Sequence, residues 1–194
     1  MKTDIILAGV GGQGILSIAT ILGAAALEGG LWLKQAEVHG MSQRGGDVQS
    51  NLRLSTDPIH SDLIPLGGAD LIVSLEPMEA LRYLPWLSPT GWIVTSTAPF
   101  NNIPDYPAEE ALRAELERQP RIVAFDMDEL ARKEASPRAS NMVLLGAASP
   151  FIDLTVEAIE NGIRTVFGPK GEKIVMSNIM AFAAGRNKSM SLIR

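Results

Sequence analysis

Two short glycine-rich stretches hold most of the residues whose types and spacing could do chemistry. The first, residues 5–14 (IILAGVGGQG), sets Gly9, Gly11 and Gly14 in the order G-x-G-x-x-G at the end of an apolar run. In a strand–loop–helix unit each glycine has its own task. Gly9 allows a sharp turn off the strand, Gly11 lets the backbone approach a phosphate, and Gly14 lets the helix sit close on the sheet. Unpaired amides at the helix start, with the positive end of its dipole, favour an anion. Gly12 adds freedom, and Gln13 offers an amide donor. Three readings stay open here: a nicotinamide dinucleotide, another phosphate-bearing ligand, or a structural tight turn. The acidic ribose partner of a dinucleotide site belongs about 20 residues further on. Glu28 has that spacing but falls at a helix end, while Glu37 is better placed but leads straight into another loop.

That loop lies within residues 37–48 (EVHGMSQRGGDV), where His39, Ser42, Gln43 and Arg44 stand among Gly40, Gly45 and Gly46. Arg44 presents a forked donor suited to a carboxylate or phosphate, with the backbone amides of Gly45 and Gly46 alongside. In an open parallel sheet the loop follows the second strand and lies at the carboxyl edge beside the first, where ligands bind. The plainer alternative is a surface turn with Arg44 in a local salt bridge. His39 is a candidate acid or base, histidine being the side chain whose ordinary range lies near neutral pH, although a lone histidine in a loop is more often structural. Asn141 is a candidate helix cap or ligand contact, the cap being the simpler role.

The elements that must position these loops follow from hydrophobic patterning. Residues 4–9 read as a buried strand, and 12–28 as a helix apolar nearly all round, covered on more than one face. Further strands are expected at 31–35, 48–55, 69–75, 92–96 and 121–125. Pro77 suits the first turn of a helix, and 108–118 form a charged one. After Asp126 helical patterns dominate, at 127–135, 139–148, 155–167 and 172–185. The pattern predicts an α/β fold: a three-layer, Rossmann-like, mostly parallel sheet with helices on both faces and a helical C-terminal third.

Composition narrows the function. The chain has 194 residues, 46% apolar and 20% charged, enough for one domain (1–194) with a substantial core. A net charge of −5 and no basic cluster interleaved with aromatics argue against nucleic acid or an anionic membrane. Cysteine is absent, which removes disulfides, a thiolate nucleophile and a cysteine-held iron–sulfur cluster. The two histidines are too few for an ordinary zinc site. The opening residues leave no room for a secretory signal, and no apolar run reaches the ~20 residues of a membrane span. A cytoplasmic location is expected.

Together the two loops closely resemble the gamma subunit of 2-oxoacid:acceptor oxidoreductases. Within that group the likeness is greatest to the small, beta subunit of indolepyruvate ferredoxin oxidoreductases. The residues that carry it are GVGGQGI near the start and the HGM-Q-RGG stretch. Further support comes from ADLIVSLEPMEALRYL (69–84), NMVLLG (141–146) and NIMAFAAG (178–185). The resemblance implies a subunit of an assembly that oxidatively decarboxylates a 2-oxoacid, an aryl pyruvate by the nearest likeness. Such assemblies use thiamine diphosphate, pass electrons through iron–sulfur clusters to ferredoxin, and release an acyl-CoA.

The resemblance does not imply that this chain performs the chemistry. GGDV at 45–48 is not the Gly-Asp-Gly run of a thiamine diphosphate site. Thiamine diphosphate, magnesium and the clusters are therefore expected in a larger partner subunit, with ferredoxin met only indirectly. No catalytic or metal-ligating residue is assigned here. Gly9, Gly11, Gly12, Gln13 and Gly14 are assigned to backbone anion contact. Ser42, Gln43, Arg44, Gly45 and Gly46 are assigned to charge recognition, with coenzyme A the candidate reactant at the interface. Two competing readings are a stand-alone nucleotide-dependent reductase and a ligand-free assembly module. The module would dock through the apolar face Val175, Met176, Ile179, Met180, Phe182 and Ala183, for which core packing is the simpler explanation.

Overall fold

The computed structural model describes residues 1–39, 45–101 and 103–193, without the side chain of His39. Six strands form one sheet: β1 (Lys2–Val10), β2 (Trp32–His39), β3 (Asp47–Ser55), β4 (Ala69–Ser74), β5 (Leu87–Ser96) and β6 (Ile122–Phe125). Their order across the sheet is β2-β3-β1-β4-β5-β6. The pairs β1–β4, β4–β5 and β5–β6 are parallel, while β1–β3 and β2–β3 are antiparallel. The sheet is thus mostly parallel, as expected, but the second and third strands form a hairpin. Antiparallel strands can be joined by a short turn, whereas parallel neighbours need a long crossover. The few residues between β2 and β3 permit only the hairpin.

Seven α-helices cover the sheet: α1 (Ile15–Glu28), α2 (Pro77–Arg82), α3 (Glu109–Glu117), α4 (Met127–Glu134), α5 (Ser140–Ala148), α6 (Val156–Phe167) and α7 (Glu172–Leu192). β1 alternates between two cores. Ile5 and Leu7 face α1 and the C-terminal helices, while Ile6 and Ala8 face the smaller layer containing α2. All four are fully buried, and full burial of a side chain the size of Ile or Leu stabilises by roughly 1.5–3 kcal/mol. α1 is apolar all round because α6 lies on its other side. Gly162 lets that approach happen, since a Cβ there would sit 2.6 Å from the Ile21 carbonyl oxygen.

The C-terminal third is helical, as its patterning predicts, and α7 runs on to Leu192, seven residues past the expected end. Val175 and Phe182 on α7 are buried, whereas Met176 and Met180 are exposed. The apolar face read from the sequence is therefore divided between packing and surface. Among the described residues, no helix is long and apolar enough to cross a membrane.

Candidate functional site

The first loop leaves β1 at its carboxyl end. Gln13 closes the turn, its backbone amide donating to the Val10 carbonyl at 3.1 Å and its side-chain Oε1 accepting from the Val10 amide at 2.8 Å. Gly12 lies at φ 103° in open space, and Gly14, the N-cap of α1, lies at φ 78°. Both conformations are costly for any residue with a Cβ. Gly9 is inside the strand rather than at the turn. There a Cβ would meet Ile15 Cγ1 at 2.8 Å, so Gly9 lets α1 sit close on the strand. At Gly14 the near neighbour is Asn141, whose Nδ2 would stand 2.8 Å from a Cβ.

The hairpin places the second loop beside the first. β3 runs antiparallel to β1, so the turn between β2 and β3 arrives at the carboxyl end of β1 by a route different from the one expected. The Gly11 amide donates to the Gly46 carbonyl at 2.8 Å, and the Gly45 amide reaches back to the Gly11 carbonyl at 3.4 Å. These bonds continue the β1–β3 ladder beyond its last pair, Val10 with Asp47. Ser42, Gln43 and Arg44 lie outside the described residues, as does the His39 side chain. Among the described residues, the Gly12 and Gly14 amides make no hydrogen bond.

Gly12 lines a cleft of about 850 Å³, open solvent included, together with Gln13, Phe100, Asp128, Arg138 and Asn141 among others, and Gly14 follows it at the start of α1. Asn141 is the second residue of α5, not its cap, which is Ala139. Its side-chain Nδ2 donates to the Gly14 carbonyl at 3.2 Å, tying α5 to the start of α1. No local sequence signal announces this contact, because 127 residues separate the partners.

Two carboxyl clusters brace the same rim and escape the sequence reading. Glu76, fully buried at the end of β4, caps α2 by accepting from the Glu79 amide at 2.8 Å. It also accepts from the Tyr106 hydroxyl and, at 3.5 Å, from the Phe100 amide. Glu76 thereby holds the segment carrying Phe100 against the cleft. Pro77 marks the helix start, but Glu is not among the usual capping residues, so the role of Glu76 has no clear local signal.

The second cluster anchors the root of the hairpin. The Tyr83 hydroxyl donates to both carboxyl oxygens of Asp47, at 3.2 and 3.3 Å. Burial, and then the neighbouring Asp47 carboxylate, push the Tyr83 hydroxyl well above its ordinary range. Glu79 is raised as well, first by burial, against which its hydrogen bond from Arg82 pulls down, with Asp47 adding repulsion. The Arg82 guanidinium is held in its charged form by that same bond, at 2.8 and 3.2 Å.

The hairpin also decides against an ordinary dinucleotide site. β3 stands between β1 and β2, so Glu37 on β2 is two strands, roughly 10 Å, from the strand that feeds the loop. Asp47 pairs with Val10 at the end of the ladder, and Tyr83 already engages it from the face opposite α1. Among the described residues, no three His, Asp or Glu side chains converge as a metal site needs.

Fold and rim together define a Rossmann-like α/β protein whose glycine loop is stitched to a neighbouring hairpin. The family model for pyruvate ferredoxin/flavodoxin oxidoreductase matches residues 4–188, and the chain belongs to that family. It is similar to indolepyruvate oxidoreductase subunit IorB of Pyrococcus horikoshii, at 36% identity over 94% of this chain and 93% of that one. In fold it is similar to the gamma subunit of a keto/oxoacid ferredoxin oxidoreductase from Geobacter sulfurreducens. There the TM-score is 0.71 at 22% identity, over 97% of this chain and 99% of that one. A 2-oxoglutarate:ferredoxin oxidoreductase from Magnetococcus marinus, solved with 2-oxoglutarate, coenzyme A and succinyl-CoA bound, superposes with a TM-score of 0.77 at 22% identity. This chain is covered to 99% but spans only 32% of that longer one.

Proposed function

We propose that this chain is the small, ligand-presenting subunit of a 2-oxoacid:ferredoxin oxidoreductase acting on an aryl pyruvate such as indolepyruvate. The observation that carries the reading is the rim itself. Two loops distant in sequence are hydrogen-bonded through Gly11 and Gly46, Gly12 lines the cleft, and the Gly12 and Gly14 amides make no hydrogen bond among the described residues. With the positive end of the α1 dipole behind them, these amides suit a phosphate or carboxylate. Coenzyme A fits as the anionic co-substrate, accepting the acyl group left when the 2-oxoacid loses carbon dioxide and two electrons. The residues of this chain bind and orient it. Gly12 and Gly14 donate backbone hydrogen bonds, Gln13 holds the turn, and Arg44 contributes charge from the hairpin.

A larger partner subunit would hold thiamine diphosphate, magnesium and the iron–sulfur clusters, and would reduce ferredoxin. A chain without cysteine has no thiolates to ligate such a cluster. The preference for an aryl pyruvate is supported by the likeness to IorB across nearly the whole chain. The test is reconstitution with a cysteine-rich, thiamine-dependent partner and assay of 2-oxoacid-dependent ferredoxin reduction. Turnover should need both chains and coenzyme A, and should favour indolepyruvate over 2-oxoglutarate. Turnover by the isolated chain, or equal use of both acids, would overturn the respective parts of the proposal.

A further inference from the structure

Behind Asn141 a second cleft, about 1240 Å³ with open solvent included, adjoins the first, and the two share Arg138 and Asn141 in their walls. Three cations line it, Arg138, Lys170 and Lys173, and no carboxylate does. This is unusual in a chain of net charge −5. None of the three takes part in the ion pairs of the described residues. The adjacent acid, Glu172, is paired with Arg164 at 3.6 Å. Asp128, in the wall of the neighbouring cleft, accepts from the Ser140 hydroxyl.

The backbone adds positive potential of its own. The first turns of three helices contribute to the lining: α1 through Ser17, α5 through Asn141 and α7 through Lys173 and Ile174. Each helix start carries the equivalent of roughly half a positive charge. Two helix ends oppose it, that of α4 at Ala135 and that of α6 at Phe167, and the second lies next to Lys170, whose Nζ is 5.1 Å from the Phe167 ring centre. Apolar surface is present too, from Phe167 and Ile174. Asn178 donates its Nδ2 to the Ile174 carbonyl at 2.8 Å, leaving its Oδ1 as an acceptor.

We infer that this cleft binds a nucleotide carrying two or more phosphates. The phosphates lie among Arg138, Lys170 and Lys173, and the base lies against Phe167 and Ile174. A single phosphate would leave most of that charge unmatched. A cleft with an apolar wall beside its three cations suits a small nucleotide better than an extended acidic peptide. The same chemistry is offered by a free adenine nucleotide and by the adenosine diphosphate end of coenzyme A. In the second case one molecule would reach both clefts, and that case rests on the function proposed above.

The experiment is calorimetric titration of the full-length chain, alone and assembled with its partner, using ADP, coenzyme A, pantetheine and inorganic phosphate. ADP and coenzyme A are expected to bind more tightly than phosphate. Their affinity should fall at least tenfold in Lys170→Ala/Lys173→Ala and be largely restored in Lys170→Arg/Lys173→Arg, while pantetheine is unaffected. Binding of coenzyme A but not ADP would assign the cleft to the longer molecule, and binding of both would admit a free nucleotide. If neither nucleotide binds, or if the alanine pair binds both as the wild type does with an unchanged melting temperature, the inference is wrong. If Gly11→Pro abolishes coenzyme A binding while the alanine pair changes nothing, this inference falls and the rim proposal stands.

Discussion

The Gly11 amide donates to the Gly46 carbonyl at 2.8 Å, joining two loops that each look complete by themselves. Replacing Gly11 by proline deletes the donor. The φ of Gly11 is not positive, and Val10 is already in a strand, which is what a following proline demands. A lost backbone bond of roughly 1 kcal/mol corresponds to a melting temperature lower by about 2–4 °C in a chain this size. We expect Gly11→Pro to remain folded within about that margin while its affinity for coenzyme A drops at least tenfold. A folded variant with unchanged affinity would show that the junction has no part in ligand binding.

Gly14 and Asn141 form a second long-range joint, and here a double-mutant cycle is informative. Gly14→Ala suffers twice, from a left-handed backbone costing about 1–2 kcal/mol and from a Cβ only 2.8 Å from Asn141 Nδ2. Asn141→Ala loses the hydrogen bond to the Gly14 carbonyl but also clears that space. The double variant should therefore be less destabilised than the sum of the two singles, by an amount read from urea denaturation. Strict additivity would mean that the two side chains do not meet.

The buried Glu79 makes stability depend on pH in a defined direction. Its folded-state pKa is raised from 4.5 by burial and by Asp47, despite Arg82. The folded protein therefore holds that proton more tightly than the unfolded chain does. The associated stability is fully present below the unfolded pKa and is lost as pH rises through the folded one. Glu79→Gln mimics the protonated form at every pH. Its melting temperature relative to wild type should rise as the pH is raised through and above 4.5. A difference that is flat with pH, or that falls, would contradict this sign.

α5 and α7 cross at two glycines, Gly146 and Gly185. A Cβ on Gly146 would overlap the Phe182 carbonyl oxygen, and one on Gly185 would overlap that of Val143. These are backbone atoms that cannot swing aside, so the helices would have to separate. Gly146→Ala is expected to cost about 1–3 kcal/mol or more, lowering the melting temperature by several degrees despite alanine's better helix propensity. No change in thermal unfolding would mean that the helices are not so closely packed.

Much of the architecture was legible because it is written in local patterns. The strand read at 4–9, within the observed Lys2–Val10, the proline at the start of α2 and the run of helices after Asp126 each announce themselves within a few residues. What stayed hidden depends on partners far apart in sequence. Gly9 reads as a turn residue, but its neighbour is Ile15, and only the packed helix reveals that. Asn141 reads as a cap, but its partner is Gly14. The segments NMVLLG and NIMAFAAG carry a family likeness, yet the reason for their final glycines lies in each other. Asp47, Glu76, Glu79, Tyr83 and Tyr106 look like solvated side chains in the sequence until the sheet order places them under the rim. Arg138, Lys170 and Lys173 likewise become a group only once α5, α6 and α7 are assembled.

The most direct test of the rim as the ligand site is amide hydrogen exchange on the assembled oxidoreductase, with and without coenzyme A. Exchange should slow by at least tenfold at the Gly12 and Gly14 amides, with slowing also at Gly45 and Gly46 and none at the opposite edge around Thr56 and Asp57. Protection confined to other segments, with the glycine loop exchanging as fast as in the ligand-free complex, would contradict the account.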